Sequence, residues 1–325
     1  MKKMTRHLAI SFVSVIALLA GAAAAYGGGI KGFVSTDNVG VFRPRSRTAK
    51  KIAFLRYIGE WGGEVSQLYT VRSNGSDLRA IGPPRRYDFA SVSPDDKWIV
   101  TAVWQTSSFG ADCAIMKSDG TEFVILVKNT EPATGCTTPA FSPDGSKIVF
   151  SINNDLMTMN ADGTDRVVVL AGGFSYRPTF SRDGNAILAN LSSALYLVSL
   201  EGGGRTLVST MDAREAIFSA DGTKIFFNSP YNLNTWPPQL PTSQIYVMNA
   251  DGTEVEQLTF SGLNTSPVTT NKNVIFVSDR DSTTTPITSI YSMRPDGTGV
   301  RAVTHSPQWD SFNSILWWNP DNRGD

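Results

Sequence analysis

One four-residue turn recurs along this chain at near-regular intervals, and it limits the possible fold more than any other feature. It reads Ser142-Pro143-Asp144-Gly145, and versions stand at Ser93-Pro94-Asp95-Asp96, Ser181-Arg182-Asp183-Gly184, Ser219-Ala220-Asp221-Gly222 and Asn319-Pro320-Asp321-Asn322. A degenerate copy, Thr269-Thr270-Asn271-Lys272, keeps the same register. Proline presets φ, aspartate bonds the backbone two residues on, and glycine accepts positive φ without a Cβ clash. Six residues after the first residue of five of these turns stands an isoleucine (Ile99, Ile148, Ile187, Ile225 and Ile275), inside a short β-branched run that reads as a strand.

A second turn alternates with the first, at Asn74-Gly75, Asp119-Gly120, Asp162-Gly163, Glu201-Gly202, Asp251-Gly252 and Asp296-Gly297. Each follows one apolar segment, such as 156–159 or 245–248, and precedes another, such as 167–170. A repeat is therefore a four-stranded antiparallel meander of about 38 to 50 residues, the period of a propeller blade.

Six second turns predict six blades. Residues 314–318 read as a first strand with no second strand after it, and residues 51–55 as a second strand with a poor first strand before it. The expectation is all-β: a six-bladed β-propeller of four-stranded antiparallel blades over residues 46–325. Its ring is closed by the C-terminal strand, which removes an open sheet edge. Residues 1–25 read as a signal peptide, with Lys2, Lys3 and Arg6, then an apolar core, then alanines at 22–25. Ala22 stands where a lipoprotein signal would carry cysteine. Residues 26–45 read as a flexible leader, and the mature protein as a periplasmic or secreted monomer.

The repeats resemble those of the TolB family, whose motif is an aromatic followed by Ser-Pro-Asp-Gly, then a strand, then Ile-Tyr-x-Met-x-x-Asp-Gly and Leu-Thr. Phe141-Ser142-Pro143-Asp144-Gly145, Ile245-Tyr246-Val247-Met248-Asn249-Ala250-Asp251-Gly252 and Leu258-Thr259 carry that resemblance. It implies a propeller. For function it implies less, since related propellers serve as adaptors, protease domains and parts of polysaccharide lyases. TolB itself carries an α/β domain ahead of its propeller, and no segment here reads as one.

The chemistry-bearing residues are few. Basic and acidic residues number 29 each, which argues against a nucleic-acid partner. Of the two histidines, His7 falls in the signal peptide, so only His305 remains. A multi-histidine metal centre cannot be built from one imidazole, and a Ser-His-Asp triad would have to use it. No Gly-rich phosphate loop follows a strand and opens a helix. The sequence thus predicts no catalytic residue, no metal and no cofactor, and the repeated aspartates read as turn formers.

Strands alternate direction, so both tight turns of a blade share one face of the disc, and the longer connections share the other. On that long-loop side fall Trp61, Trp104, Phe109, Tyr231, Trp236, Asp279, Arg280 and Trp309, the predicted binding residues. Rigid scaffolds carry binding residues on such loops, and Trp and Tyr are favoured at protein interfaces and against sugars. The predicted function is an exported, non-enzymatic propeller that binds a protein or peptide partner in the cell envelope through this face. The alternative is a carbohydrate-binding or polysaccharide-degrading, lyase-like propeller. Cys113 and Cys136 fall at the long-loop side of adjacent blades, which predicts a disulfide in an oxidising compartment.

Overall fold

The computed structural model describes residues 39–42, 51–58, 65–72, 76–104, 110–129, 135–173, 175, 177–230, 243–270, 272–281, 288–304 and 313–315. Blade 1 holds β1 (Val39–Phe42), β2 (Lys51–Ile58), β3 (Val65–Arg72) and β4 (Arg79–Arg85). Blade 2 is β5 (Tyr87–Val92), β6 (Trp98–Trp104), β7 (Ala111–Lys117) and β8 (Val124–Val127). Blade 3 is β9 (Thr137–Phe141), β10 (Lys147–Ile152), β11 (Asp155–Asn160) and β12 (Val167–Leu170). Blade 4 is β13 (Thr179–Phe180), β14 (Ala186–Leu191), β15 (Ala194–Ser199) and β16 (Arg205–Ser209). Blade 5 is β17 (Arg214–Phe218), β18 (Lys224–Pro230), β19 (Ser243–Asn249) and β20 (Glu256–Gln257). Blade 6 is β21 (Asn264–Thr269), β22 (Val274–Ser278), β23 (Ser289–Met293) and β24 (Arg301–Ala302), and β25 (Asn313–Ile315) follows it. Every described pairing is antiparallel, and the described residues contain no helix.

The blades are held by what lies between them. Val100, Cys113 and Ile115 of blade 2 cluster with Phe141, Ile148 and Phe150 of blade 3. Similar clusters join blades 3 to 4, 4 to 5 and 5 to 6. The largest joins Phe54, Leu55 and Leu68 of blade 1 to Ile99 of blade 2 and to Val268, Ile275 and Ile290 of blade 6, so apolar packing closes the ring. Strands sandwiched this way bury both faces. All five residues of β22 are buried, which explains its continuous apolar run.

Three details differ from the sequence reading. First, β25 pairs with β2, placing Ile315 opposite Phe54, but β1 pairs with the same edge of β2, placing Val39 opposite Phe54. The innermost strand position of blade 1 is thus shared end to end by residues near both termini, and 39–42 is a strand although it fell within the expected leader. Its Val-Gly-Val-Phe pattern supplies β-formers at alternate positions. Second, the degenerate turn of blade 6 starts at Thr270, not Thr269. Its closing bond runs from the Thr270 N–H to the Asn273 carbonyl, two residues shorter than the Ser219 to Lys224 bond of blade 5. Val274, not Ile275, therefore sits where Ile225 does, each packing on the preceding blade. Third, the fourth strands β20 and β24 are only two residues long, as is the innermost β13 of blade 4.

Cys113 and Cys136 form a disulfide, with Cα atoms 5.2 Å apart. It ties the start of β7 to the connection entering blade 3, and the Cys136 N–H donates to the Ala111 carbonyl at 2.8 Å beside it.

Candidate functional site

The two faces of the disc differ in how much of their hydrogen-bonding capacity is already used. On the tight-turn face the aspartates bond their own turns. Asp144 accepts from the Ser142 hydroxyl at 2.6 Å and from the Ser146 N–H at 3.0 Å. Asp162 accepts from the Thr164 hydroxyl at 2.6 Å and its N–H at 3.0 Å, an arrangement repeated at Asp251 with Thr253 and Asp296 with Thr298. These bonds, the hydroxyl's first and the N–H's second, hold the Asp162, Asp251 and Asp296 carboxyls below the ordinary carboxylate range. The aspartates fasten turns.

On the long-loop face the connections vary in length. β10 to β11 and β14 to β15 are two-residue turns, Asn153-Asn154 (φ 52° and 69°) and Ser192-Ser193 (φ 52° and 66°), the double left-handed geometry that matches strand twist. These two connections therefore add little to the long-loop side of blades 3 and 4. Trp61, Phe109, Tyr231, Trp236 and Trp309, like His305, lie outside the described residues.

Trp104, Asp279 and Arg280 are described, and each has internal partners. The Trp104 indole N–H donates to Asp88 Oδ2 at 3.2 Å, and the Arg86 guanidinium lies 5.0 Å from its ring centroid. Burial pushes Asp88 up to about 6, against the lowering effect of the indole hydrogen bond, and its second oxygen is enclosed with no hydrogen-bond partner among the described residues. Asp279 accepts from the Leu263 N–H at 2.6 Å, fastening the blade 5 to blade 6 connection. Arg280 donates to Asn264 at 2.8 Å and lies 5.1 Å from both the Phe276 and Tyr291 ring centroids.

The structure adds a set of residues that the sequence reading did not single out. Phe89, Thr138, Arg177, Glu215 and Ser266 all adopt left-handed φ, at 44°, 53°, 60°, 49° and 53°. Each stands four residues before the first residue of its blade's turn (Ser93, Ser142, Ser181, Ser219 and Thr270), on or just ahead of the innermost strand. In blades 2, 3, 5 and 6 the pairing of first and second strands slips at this point, so the ring residue sits at a β-bulge. A non-glycine residue there costs on the order of 1 kcal/mol or more, and the β-branched Thr138 is the most strained type. Because each innermost strand enters from the long-loop face, the ring lies just inside that mouth.

Side chains of Phe89, Thr138, Arg177 and Glu215 line one axial cavity, whose volume for water-sized occupants is about 30 Å³. Glu215 is 4 % exposed, and both its oxygens have partners, Oε1 by longer contacts than Oε2, which leaves acceptor capacity on Oε1. The Arg177 guanidinium is 3.3 Å away, and the Ser266 N–H donates at 2.6 Å from the next blade. With the Asn228 amide oriented to suit its neighbours, its nitrogen donates to Glu215 at 2.8 Å. Thr138 is 3 % exposed, and its hydroxyl has no hydrogen-bond partner among the described residues.

One sequence signal points to this ring. Thr138, Arg177 and Ser266 each precede a proline, Pro139, Pro178 and Pro267. Proline inside a sheet is confined to edges, strand starts and bulges, so a proline at one fixed offset from a repeated turn marks a repeated bulge. Among the described residues no three of His, Cys, Asp and Glu come together as a metal-binding group.

No protein-family model matches the chain, and no curated protein matches it. Solved structures do. TolB from Acinetobacter baumannii superposes with a TM-score of 0.65 at 16% identity, over 83% of this chain and 67% of that one. A protein assigned as TolB from Agrobacterium tumefaciens gives 0.60 at 20% identity, over 78% of this chain and 95% of that one. A chain of a nidogen/laminin complex gives 0.60 at 10% identity, over 82% and 97%. At these identities the likeness establishes the fold, a TolB-like six-bladed propeller.

Proposed function

We propose that this chain is an exported, non-enzymatic β-propeller that holds a protein or peptide partner on its long-loop face. The observation that carries the reading is the strained polar ring inside one mouth of the axis. Five left-handed residues gathered at one level cost stability, and such strain concentrates where a protein meets a ligand. The opposite face supports the reading by contrast, because its aspartates are consumed by their own turns. The disulfide supports export, since such bonds persist in oxidising compartments. One neighbour in fold, the nidogen/laminin complex, is a protein–protein assembly. The carbohydrate alternative asks for aromatic faces open to a sugar ring, and among the described residues the one predicted aromatic, Trp104, instead carries Arg86 over its ring.

The test is site-specific photo-crosslinking in a cell-envelope extract of the source organism. Crosslinkers replace Arg86 and Arg214 at the long-loop mouth, or Asp162 and Asp251 on the tight-turn face. A discrete protein adduct from the first pair and none from the second is expected. Adducts from the tight-turn face alone, or from neither, would overturn the proposal.

A further inference from the structure

The axial cavity has a chemical character of its own. Among the described residues its charges cancel: Arg177 and Glu215 pair within it, and Glu215 is also held by Ser266. Beside the ring residue Phe89 stands Asp88, whose carboxyl accepts from the Trp104 indole N–H. An incoming carboxylate or ammonium group would bring a net charge into a half-enclosed site whose described charges are already paired, which is costly. A wholly apolar group would leave the Thr138 hydroxyl, buried and without a protein partner among the described residues, unmet. Phe89, Pro139 and Ala216 supply apolar wall beside these polar groups. A cavity of about 30 Å³ has room for two or three waters or for one small functional group. The group that fits is neutral, flat and both donor and acceptor.

We propose that the axial cavity is a binding site for a carboxamide, inserted along the axis from the long-loop mouth by an asparagine or glutamine side chain, or by a backbone amide, of a peptide. Its carbonyl oxygen accepts from the Thr138 hydroxyl and the Arg177 guanidinium, and its N–H donates towards Glu215. The two-residue turns Asn153-Asn154 and Ser192-Ser193 are short connections on the side where Thr138 and Arg177 stand. This rests on the protein- or peptide-partner reading for the source of the carboxamide, not for the chemistry of the cavity.

The test titrates the mature protein, isotope-labelled for NMR, with acetamide, N-methylacetamide, acetate, methylammonium and methanol, following the Thr138 methyl and the Arg177 side-chain N–H. Saturable shifts with an amide, at an affinity roughly tenfold or more above either charged probe, are expected. Acetamide above N-methylacetamide identifies the side-chain source, and the reverse order the backbone. Thr138→Val keeps the shape and removes the hydroxyl, so it lowers amide affinity about fivefold, while Thr138→Ser retains it. No saturable shift with either amide, stronger binding of acetate, methylammonium or methanol, or an unchanged affinity in Thr138→Val would each overturn the proposal. A cavity occupied by water alone gives the first of these results. Because the probes need no partner, a failed titration beside intact crosslinking leaves the long-loop-face reading in place. The opposite pair of results does the reverse.

Discussion

Asp88 should make this propeller lose stability as pH rises, and replacing it with asparagine should remove the loss. Its carboxyl accepts from the indole N–H of Trp104, and burial, outweighing the lowering effects of that bond, the Phe89 backbone and Arg86, lifts it from the ordinary 3.8 to about 6. A folded-state value above the unfolded one means that the native chain favours the neutral acid. Below about pH 4 the group is protonated in both states and costs nothing. Between about pH 4 and pH 6 the unfolded chain releases the proton and the folded one resists, so stability falls through that window and stays low above it. At 1.36 kcal/mol per pH unit the ceiling is about 3 kcal/mol, and the residue's partial contact with solvent brings the expectation to about 1–2 kcal/mol. Asp88→Asn should therefore be more stable than the parent by about that amount at pH 8 and equal to it near pH 4. Urea denaturation at both pH values, followed by circular dichroism and fitted with a shared m-value, measures the difference. The turn aspartates titrate identically in both proteins and cancel. A variant no more stable at pH 8, or one ahead by the same margin at both pH values, would refute the desolvation argument.

Three further outcomes follow from the geometry. Gly252 has φ +88°, and a Cβ there would collide with the Val208 carbonyl oxygen of the preceding blade, so Gly252→Ala should cost about 2–4 kcal/mol by urea denaturation; a cost under about 1 kcal/mol would show that the blade contact is slack. Reducing the Cys113–Cys136 bridge, whose residues are 23 apart in sequence, should lower stability by about 3 kcal/mol. Melts with and without reductant measure this, and the unreduced, denatured protein should offer no alkylatable thiol. Arg177→Gln leaves the buried Glu215 carboxylate without its cation and should cost about 3–5 kcal/mol, most of it recovered in Arg177→Gln/Glu215→Gln; strictly additive single mutants would refute the pairing.

What was legible in the sequence is whatever a blade decides within a few residues. Ser142 bonding Asp144, and Asp162 bonding Thr164, are contacts between residues two apart, so turn chemistry shows in the letters themselves, and its period shows the blades. Strand positions followed from apolar runs between turns. The Cys113–Cys136 pairing followed because strand alternation alone puts both on one side of neighbouring blades. The limits appear where neighbouring blades meet. The glycine of each second turn reads as a positive-φ residue, yet Gly252 and Gly120 also abut the preceding blade's backbone, at Val208 and Gly82. That second reason is invisible without the ring. The register of blade 6 slipped by one residue because the Thr270 turn is shorter, and only its pairing with the second strand shows it.

The axial site is the extreme case. Glu215 and Ser266 are 51 residues apart, and each is unremarkable in its own stretch of sequence. A polar residue before a proline looks like a strand start. It becomes a site because the propeller turns one offset, repeated blade after blade, into one level of a closed ring. Local hydrogen bonds and hydrophobic periodicity are short-ranged and survive in a linear string. Convergence of side chains from successive blades on a shared axis exists only after the chain has closed, so the tertiary structure alone decided that Thr138, Arg177 and Glu215 would meet.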